Sequence, residues 1–394
     1  GKVRRIGREW DGSCPPPASG QEAGEIPRHI ARWPGKRGRA MSRYLFGVTA
    51  RTCLQVPLRS RPCSSRHHRT VTRAMSGDNS KKPEGMATKG FPVGPEIKDS
   101  AQDSHNQPGL QKGMKDQPHS TDLPYQPGND DVLSFRPYKG AEKLKDKVCI
   151  VTGGDSGIGR SIAAMFARES AKSVTIVYLE KEQEDAEQTK ELIEAEGVEA
   201  LLIAQDLSTG EEAARSVVQK VVDRFGRVDV LVNNASMQHK LSSIEDTDAE
   251  YLESTFKTNV FAMFYLAKHV LPHMARGSTI VNSTSVTAYY GSASLLEYSS
   301  TKGAIVAFTR SLSLQLAPKG IRVNAVAPGP IITPLNPATR EQDNLDGWYN
   351  KIPALGRLGQ PSEMGPAYVY LASNDSSYMS GQVLHPNGGT IVNG

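Results

Sequence analysis

One seven-stranded parallel sheet in a doubly wound α/β (Rossmann) fold is predicted for residues 145–394 by three observations. Short strands that are apolar along their whole length alternate with amphipathic helices, the pattern of a parallel sheet covered on both faces. A glycine-rich turn follows the first of these strands. Polar or small residues gather at the carboxyl end of strand after strand, where such folds bind ligands.

The elements follow in order. KVCIVTG (147–153) is a short apolar run closed by glycine, and SGIGRSIAAMFARES then sets Ile158, Ile162, Met165 and Phe166 at helical spacing. VTIVYL, ALLIAQDL and VDVLVNNA are the next strands, separated by the helices EQEDAEQTKELIEAEG and EEAARSVVQKVVDRFG. A long helix spans about 248–275, STIVNSTS is the fifth strand, and a second long helix covers about 292–317. IRVNAVAPG and GQVLHPNGG complete the set. Right-handed crossovers through these helices give one domain.

The front of the chain differs in kind. Residues 1–75 carry 16 Lys/Arg against 4 Asp/Glu, whereas 76–394 carry 31 against 38, so the basic balance belongs to the leader. Nothing in the body suggests a nucleic-acid surface. From Met41 onward the leader is Arg- and Ser-rich and lacks acids before Asp78, the composition of an organellar transit segment. Composition does not separate plastid from mitochondrion, and without a targeting role the protein is expected in the cytoplasm. Residues 76–144, with HNQPGLQKG and YQPGND, read as an extended Pro/Gly-rich arm that Leu133, Phe135 and Tyr138 pin to the body. Three of the four cysteines (Cys14, Cys53, Cys63) sit in the leader and only Cys149 in the body, which argues against a disulfide scaffold or structural zinc. No metal site is expected, and no run of 18 apolar residues suggests a membrane span.

Each strand end carries a signal with a bland alternative. In TGGDSGIG (152–159), Gly153 and Gly157 allow backbone to approach a pyrophosphate and Gly159 allows a helix to pack on the sheet, or the run is a plain tight turn. Asp206–Leu207 offers a carboxylate to an adenine amino group or a helix cap. Asn233–Asn234–Ala235 suits a ribose or a turn; Asn259, in the apolar stretch FKTNVFAMF, needs partners that backbone or water would supply. Ser283 and Ser285 tip the fifth strand, and Gly329 and Thr333, the latter suited to a carboxamide, follow the sixth. Tyr298 and Lys302 lie one helical turn apart, but with 13 tyrosines about one such pair arises by chance.

Taken together in this order, GGDSGIGR, NSTSV, STSVTAYYGSASLLEYSSTKGA and RVNAVAPGPIITPL resemble the short-chain dehydrogenase/reductase family over residues 145–394, and its glucose/ribitol dehydrogenase-like branch in particular. That branch includes plastid NADPH-dependent aldehyde reductases of plants. The resemblance implies Ser285, Tyr298, Lys302 and Asn259 as catalytic residues, with Tyr298 the proton donor, Lys302 its tuning charge and ribose ligand, Ser285 the orienting group and Asn259 the holder of a relay water. It also implies a nicotinamide cofactor held by Gly153, Asp155, Ser156, Gly157, Ile158, Gly159, Tyr178, Asp206, Leu207, Asn233 and Ala235, with Tyr298, Lys302, Pro328, Gly329, Ile331 and Thr333 completing the site.

Some positions depart from the pattern. Ser236 stands where the family usually has the glycine of N-N-A-G, and His239 follows in the same loop. At the end of the second strand Glu180 points to NAD(H), while Lys181 and Arg160 point to NADP(H); the branch favours NADP(H). A small aldehyde, sugar or polyol is the expected substrate, walled by Trp348, Tyr349 and Ile352 in a lid over about 334–360. Phe261, Phe264, Ile305 and Phe308 suggest helices that pair in a dimer or tetramer. The rival reading is a non-catalytic, stress-associated dinucleotide binder, which would not need the Ser285/Tyr298/Lys302/Asn259 set.

Overall fold

Two adjacent strands, Val148–Thr152 (β3) and Ser173–Tyr178 (β4), are buried at every position. That is what a strand covered by helices on both faces requires. The computed structural model containing them describes residues 107–114, 117–125, 134–339 and 353–392. The leader, much of the arm, Leu133, and the expected wall residues Trp348, Tyr349 and Ile352 lie outside the described residues.

The remaining elements are Asp122–Tyr125 (β1), Ser134–Pro137 (β2), Gly157–Arg168 (α1), Gln183–Glu194 (α2), Glu199–Ala204 (β5), Glu211–Phe225 (α3) and Val230–Asn233 (β6). Beyond them come Ala249–Phe256 (α4), Ala262–Val270 (α5), Thr279–Ser283 (β7), Thr287–Tyr290 (α6), Leu296–Leu316 (α7), Arg322–Val326 (β8), Pro361–Ala372 (α8) and Val383–Leu384 (β9). Among the described residues, seven parallel strands form the main sheet in the order β5-β4-β3-β6-β7-β8-β9. The chain moves outward from β3 to β5 and returns to β6 on the other side of β3. The carboxyl ends of β3 and β6 therefore flank the switch point, the crevice where doubly wound sheets take ligands.

Strand alternation sorts the core into two layers. Cys149 and Val151 of β3 face Ile162, Phe166 and Tyr368 of α1 and α8. Val148 and Ile150 face Val217, Leu266 and Leu316 of α3, α5 and α7. The period of two along β3 is thus the reason one strand serves both layers.

The structure differs from the sequence reading at four points. The long helix expected over 248–275 is interrupted by a π turn, Lys257–Phe261, and gives way after Val270 to a 3-10 turn with Pro272 near its start. Helix α7 begins at Leu296, after the separate short turn of α6. The arm is fastened more widely than by its end alone. The Gln111 and Lys112 N–H groups donate to the Asp185 carboxylate at 2.8 and 3.1 Å, the His119 N–H donates to Gln360 Oε1 at 3.0 Å and the Tyr138 hydroxyl bonds Glu169, while within the arm β1 pairs antiparallel with β2 and Phe135 stacks on His119. Ile305, expected on an outer face, is fully buried, and Phe308 packs on Phe264 with ring centroids 4.3 Å apart. Phe261, Phe264 and Leu314 remain exposed. Among the described residues no helix is long and apolar enough to cross a membrane, and no cluster of His, Cys, Asp and Glu could hold a metal ion.

Candidate active site

Between β3 and α1 the chain turns through Gly153 (φ +61°) and Gly157 (φ +51°). Both angles lie in the left-handed region that side chains disfavour. Gly159 has a steric reason as well, since a Cβ there would stand 1.7 Å from the Gly153 carbonyl oxygen. The turn is braced from β6: the Asn234 amide donates to the Thr152 and Gly153 carbonyls at 3.1 Å each, and Thr152 Oγ1 accepts from the N–H groups of Asn234 and Ala235. The result is an α1 N-terminus aimed at the switch point, which favours an anion.

A cavity of about 430 Å³ opens there. Gly153, Asp155, Ser156, Gly157 and Ile158 line one side, with Tyr178 at the end of β4 and Asp206 and Leu207 beyond β5. Ala235 follows β6, and Pro328, Gly329, Ile331 and Thr333 follow β8. Ser285, Tyr298 and Lys302 line the same cavity. Three expected residues do not: Gly159 packs beneath the turn, Asn259 is buried behind the loop after β6, and Asn233 is turned into the sheet, where its amide donates to Asn282 Oδ1 at 2.9 Å. The lining neighbour of Asn233 is Asn234.

Helix α7 brings Tyr298 and Lys302 to one face, with Lys302 Nζ 5.1 Å from the Tyr298 ring centre. Lys302 is 1% exposed, and burial pulls its ammonium down to about 7. Its Nζ donates to the Ser283 carbonyl at 3.1 Å, which anchors the head group at the end of β7. Ser285 Oγ accepts from the Thr287 N–H at 3.2 Å and from Thr287 Oγ1 at 3.0 Å, so its own proton is left to point elsewhere. An ammonium beside a phenol favours the phenolate, and a hydroxyl donor nearby can hold a carbonyl oxygen.

Asn259 lies in the π turn, a local widening often found at functional sites. Its Oδ1 accepts from Met237 N (2.8 Å) and Ser236 Oγ (3.2 Å), and its Nδ2 donates to Met237 O (2.8 Å) and Thr301 Oγ1 (3.1 Å). Two donors and two acceptors are all engaged, so the side chain braces the loop after β6. Ser236, the departure from N-N-A-G, is part of that brace. His239 stacks on Tyr251 at 4.2 Å and does not line the cavity.

At the end of β4, Arg160 is removed from the choice of cofactor. It is 4% exposed and bound to the Asp155 and Asp185 carbonyls, the Asp185 carboxylate (3.1 Å) and Gln188. Lys181 donates to the Gln107 carbonyl of the arm. Glu182 lines the cavity and caps the Leu179 N–H at 2.8 Å, and burial raises its carboxyl above the usual range, as it does that of Asp155. Sequence reasoning missed Glu182, and Leu179 lacks the side-chain oxygen that would mark a capping box in the letters. It also missed the arm residues Gln107, Pro108 and Gly109, which line the cavity too.

Residues 153–390 match a family profile described as enoyl-(acyl carrier protein) reductase. The carrot (Daucus carota) protein named glucose and ribitol dehydrogenase is 51% identical over 279 residues, covering 68% of this chain and 95% of that protein. NADPH-dependent aldehyde reductase 1, chloroplastic, of Arabidopsis thaliana is 49% identical over 298 residues, covering 74% of this chain and 98% of that one. Among solved structures, a short chain dehydrogenase from Burkholderia cenocepacia in complex with NADP is 30% identical with a TM-score of 0.58, covering 63% of this chain and 98% of that chain. The protein belongs to the short-chain dehydrogenase/reductase family and is an oxidoreductase.

Proposed function

We propose that the protein interconverts a carbonyl and an alcohol on a small aldehyde, sugar or polyol, with NADP(H) as the favoured cofactor and Tyr298 as general acid and base. The observation that carries the reading is Tyr298 over a fully buried Lys302 in the cavity that also holds the glycine turn. Fit to a dinucleotide is supported by the turn, where a Cβ on Gly157 would crowd Thr333 Cγ2 at 3.1 Å, and by the Asp206 carboxylate at the far end of the cavity. NADP in the Burkholderia relative and NADPH in the name of the Arabidopsis relative support the choice of cofactor.

When bound, the cofactor supplies or accepts the hydride at the substrate carbon. The glycine turn and the α1 N-terminus would hold its phosphates, and Asp206 and Tyr178 would flank its adenosine. Ser285 donates its hydroxyl proton to the substrate oxygen and fixes its direction. In reduction Tyr298 Oη gives its proton to that oxygen; in oxidation it takes one. Lys302, charged or neutral, sets how readily Tyr298 gives up that proton. Asn259 positions the loop of Ser236–Gln238 beside the substrate. The test is a paired measurement of NADPH and NADH oxidation over aldehydes, sugars and polyols. Tight cofactor binding without turnover across that panel would refute this reading in favour of a non-catalytic binder.

The leader is read as an organellar address, plastid before mitochondrion, supported by its composition and by the chloroplastic relative. A reporter fused behind residues 41–75 that stays in the cytoplasm would refute it. Exposed Phe261, Phe264 and Leu314 support a homo-oligomer through the α4–α5 and α7 faces.

A further inference from the structure

The stretch Gln107–Gln111 is remote in sequence from the elements that frame the cavity, yet it touches four of them. The Gln107 side chain bonds both backbone groups of Gln238 in the loop after β6, accepting from its N–H at 3.2 Å and donating to its carbonyl. The Gln107 carbonyl accepts from Lys181 Nζ, just past β4. Gly109 lies so close to the loop after β8 that a Cβ would stand 2.4 Å from the Pro334 carbonyl oxygen. The buried Gln111 accepts the Gly157 N–H of the glycine turn at 2.8 Å through its Oε1. Between these fastenings, Gln107, Pro108 and Gly109 line the same cavity as Tyr178, Asp206 and Tyr298.

We propose that Gln107–Gly109 is the outer wall of the dinucleotide site, and that Gln107 ties this wall to the loop beside the substrate. The proposal rests on reading the cavity as a nicotinamide cofactor site. Its fastenings join the adenosine side of the crevice (Lys181) to its substrate side (Gln238 and Pro334), so a dinucleotide lying along the crevice passes beneath the segment. Cofactor exchange then requires this wall to loosen. Recognition by Gln107 uses only the backbone of Gln238, so it does not depend on that residue's side chain.

The experiment uses the full chain, with NADPH dissociation followed by its fluorescence on displacement by excess NADP. Gln107→Ala removes both bonds to Gln238 and is expected to speed dissociation roughly tenfold, with the KM for NADPH rising alongside. Gly109→Ala pushes the segment off Pro334 by adding atoms rather than removing bonds, and moves both quantities the same way. The thermal midpoint of the cofactor-free protein is expected to stay at its wild-type value in Gln107→Ala. Dissociation within about twofold of wild type in both variants overturns the proposal. So does a lowered cofactor-free midpoint with unchanged dissociation, which would make the segment a brace of the fold alone. A wild-type chain that binds neither NADPH nor NADH removes the reading of the cavity and the wall together, whereas normal binding with unaffected variants removes only the wall.

Discussion

Where β3 leads into α1 the site is made of backbone, and where β7 meets α7 it is made of side chains. The first region excludes atoms: Gly153, Gly157 and Gly159 carry no side chain, and a Cβ on Gly159 would collide with a carbonyl oxygen at 1.7 Å. The second region supplies atoms: Ser285, Tyr298 and Lys302 each bring one functional group, and each is held by a named partner or by the helix itself. The difference teaches that the two halves fail in opposite ways. Adding a methyl group breaks the first; removing a hydroxyl or an ammonium breaks the second.

The largest expected effect comes from removing one oxygen from the second region. Tyr298→Phe should lower kcat by about 10²–10⁴-fold while cofactor binding survives, as titration and steady-state rates would report. A variant that keeps its rate would end the proton-donor assignment. Lys302 then gives the pH dependence. Burial makes the Lys302 ammonium give up its proton as pH rises through about 7. The positive charge that favours a neighbouring phenolate is then lost, so the pH–rate profile should inflect in this region. Lys302→Met should abolish that inflection. Stability has its own sign. An ammonium pulled down by burial leaves the unfolded chain holding more protons between about 7 and the usual lysine value, so the cofactor-free enzyme should gain stability with rising pH across that window. Lys302→Met should flatten that rise.

Much of this contrast was legible in the letters, and the exceptions are instructive. Strands β3 and β6 announce themselves because burial on both faces keeps their runs largely apolar. Asn233 and Asn234 are identical neighbours, and only the register of β6 decides that the first turns into the sheet and the second braces the glycine turn. The π turn at Asn259 leaves the apolar spacing of its helix nearly intact, so periodicity runs straight through it. Helix α8 hides behind Gly365 and Pro366, although Gly365 lets the helix pack closely on Met165, whose Sδ would stand 2.2 Å from a Cβ there. The arm is fastened by Gln107 and Gln111 to partners far along the chain, contacts that leave no apolar period to read. Glu297, buried beside Tyr298 with no hydrogen-bond partner for its carboxylate among the described residues, is a polar position that neither sequence nor geometry accounts for.

A smaller effect is expected in the backbone region. Gly159→Ala places its methyl against a carbonyl oxygen of the turn, not against a flexible side chain, so the turn itself must shift. The cost should be about 1–3 kcal/mol in denaturant unfolding, with cofactor affinity falling beyond what that loss explains. Wild-type affinity in a destabilised Gly159→Ala would mean that the turn can yield without disturbing the anion site, and the contrast between the halves would weaken.

The smallest effect tests the boundary between them, the loop after β6. Ser236→Gly restores the family's usual residue and removes one bond, the 3.2 Å contact from Ser236 Oγ to Asn259 Oδ1. Asn259 keeps Met237 N–H at 2.8 Å on the same oxygen, so its acceptor is not orphaned. The loss should be about 0.5–1.5 kcal/mol for the bond, with a few tenths more from the freer backbone of glycine. The kcat/KM should stay within about threefold, since Ser285, Tyr298 and Lys302 are all unchanged and about 1.4 kcal/mol is needed for tenfold. Ser236→Ala separates the terms, because it removes the bond without freeing the backbone. A tenfold fall in both variants would show that the loop depends on a side-chain bond and belongs with the region of Tyr298; a fall in the glycine variant alone would class it with the turn, where backbone freedom decides.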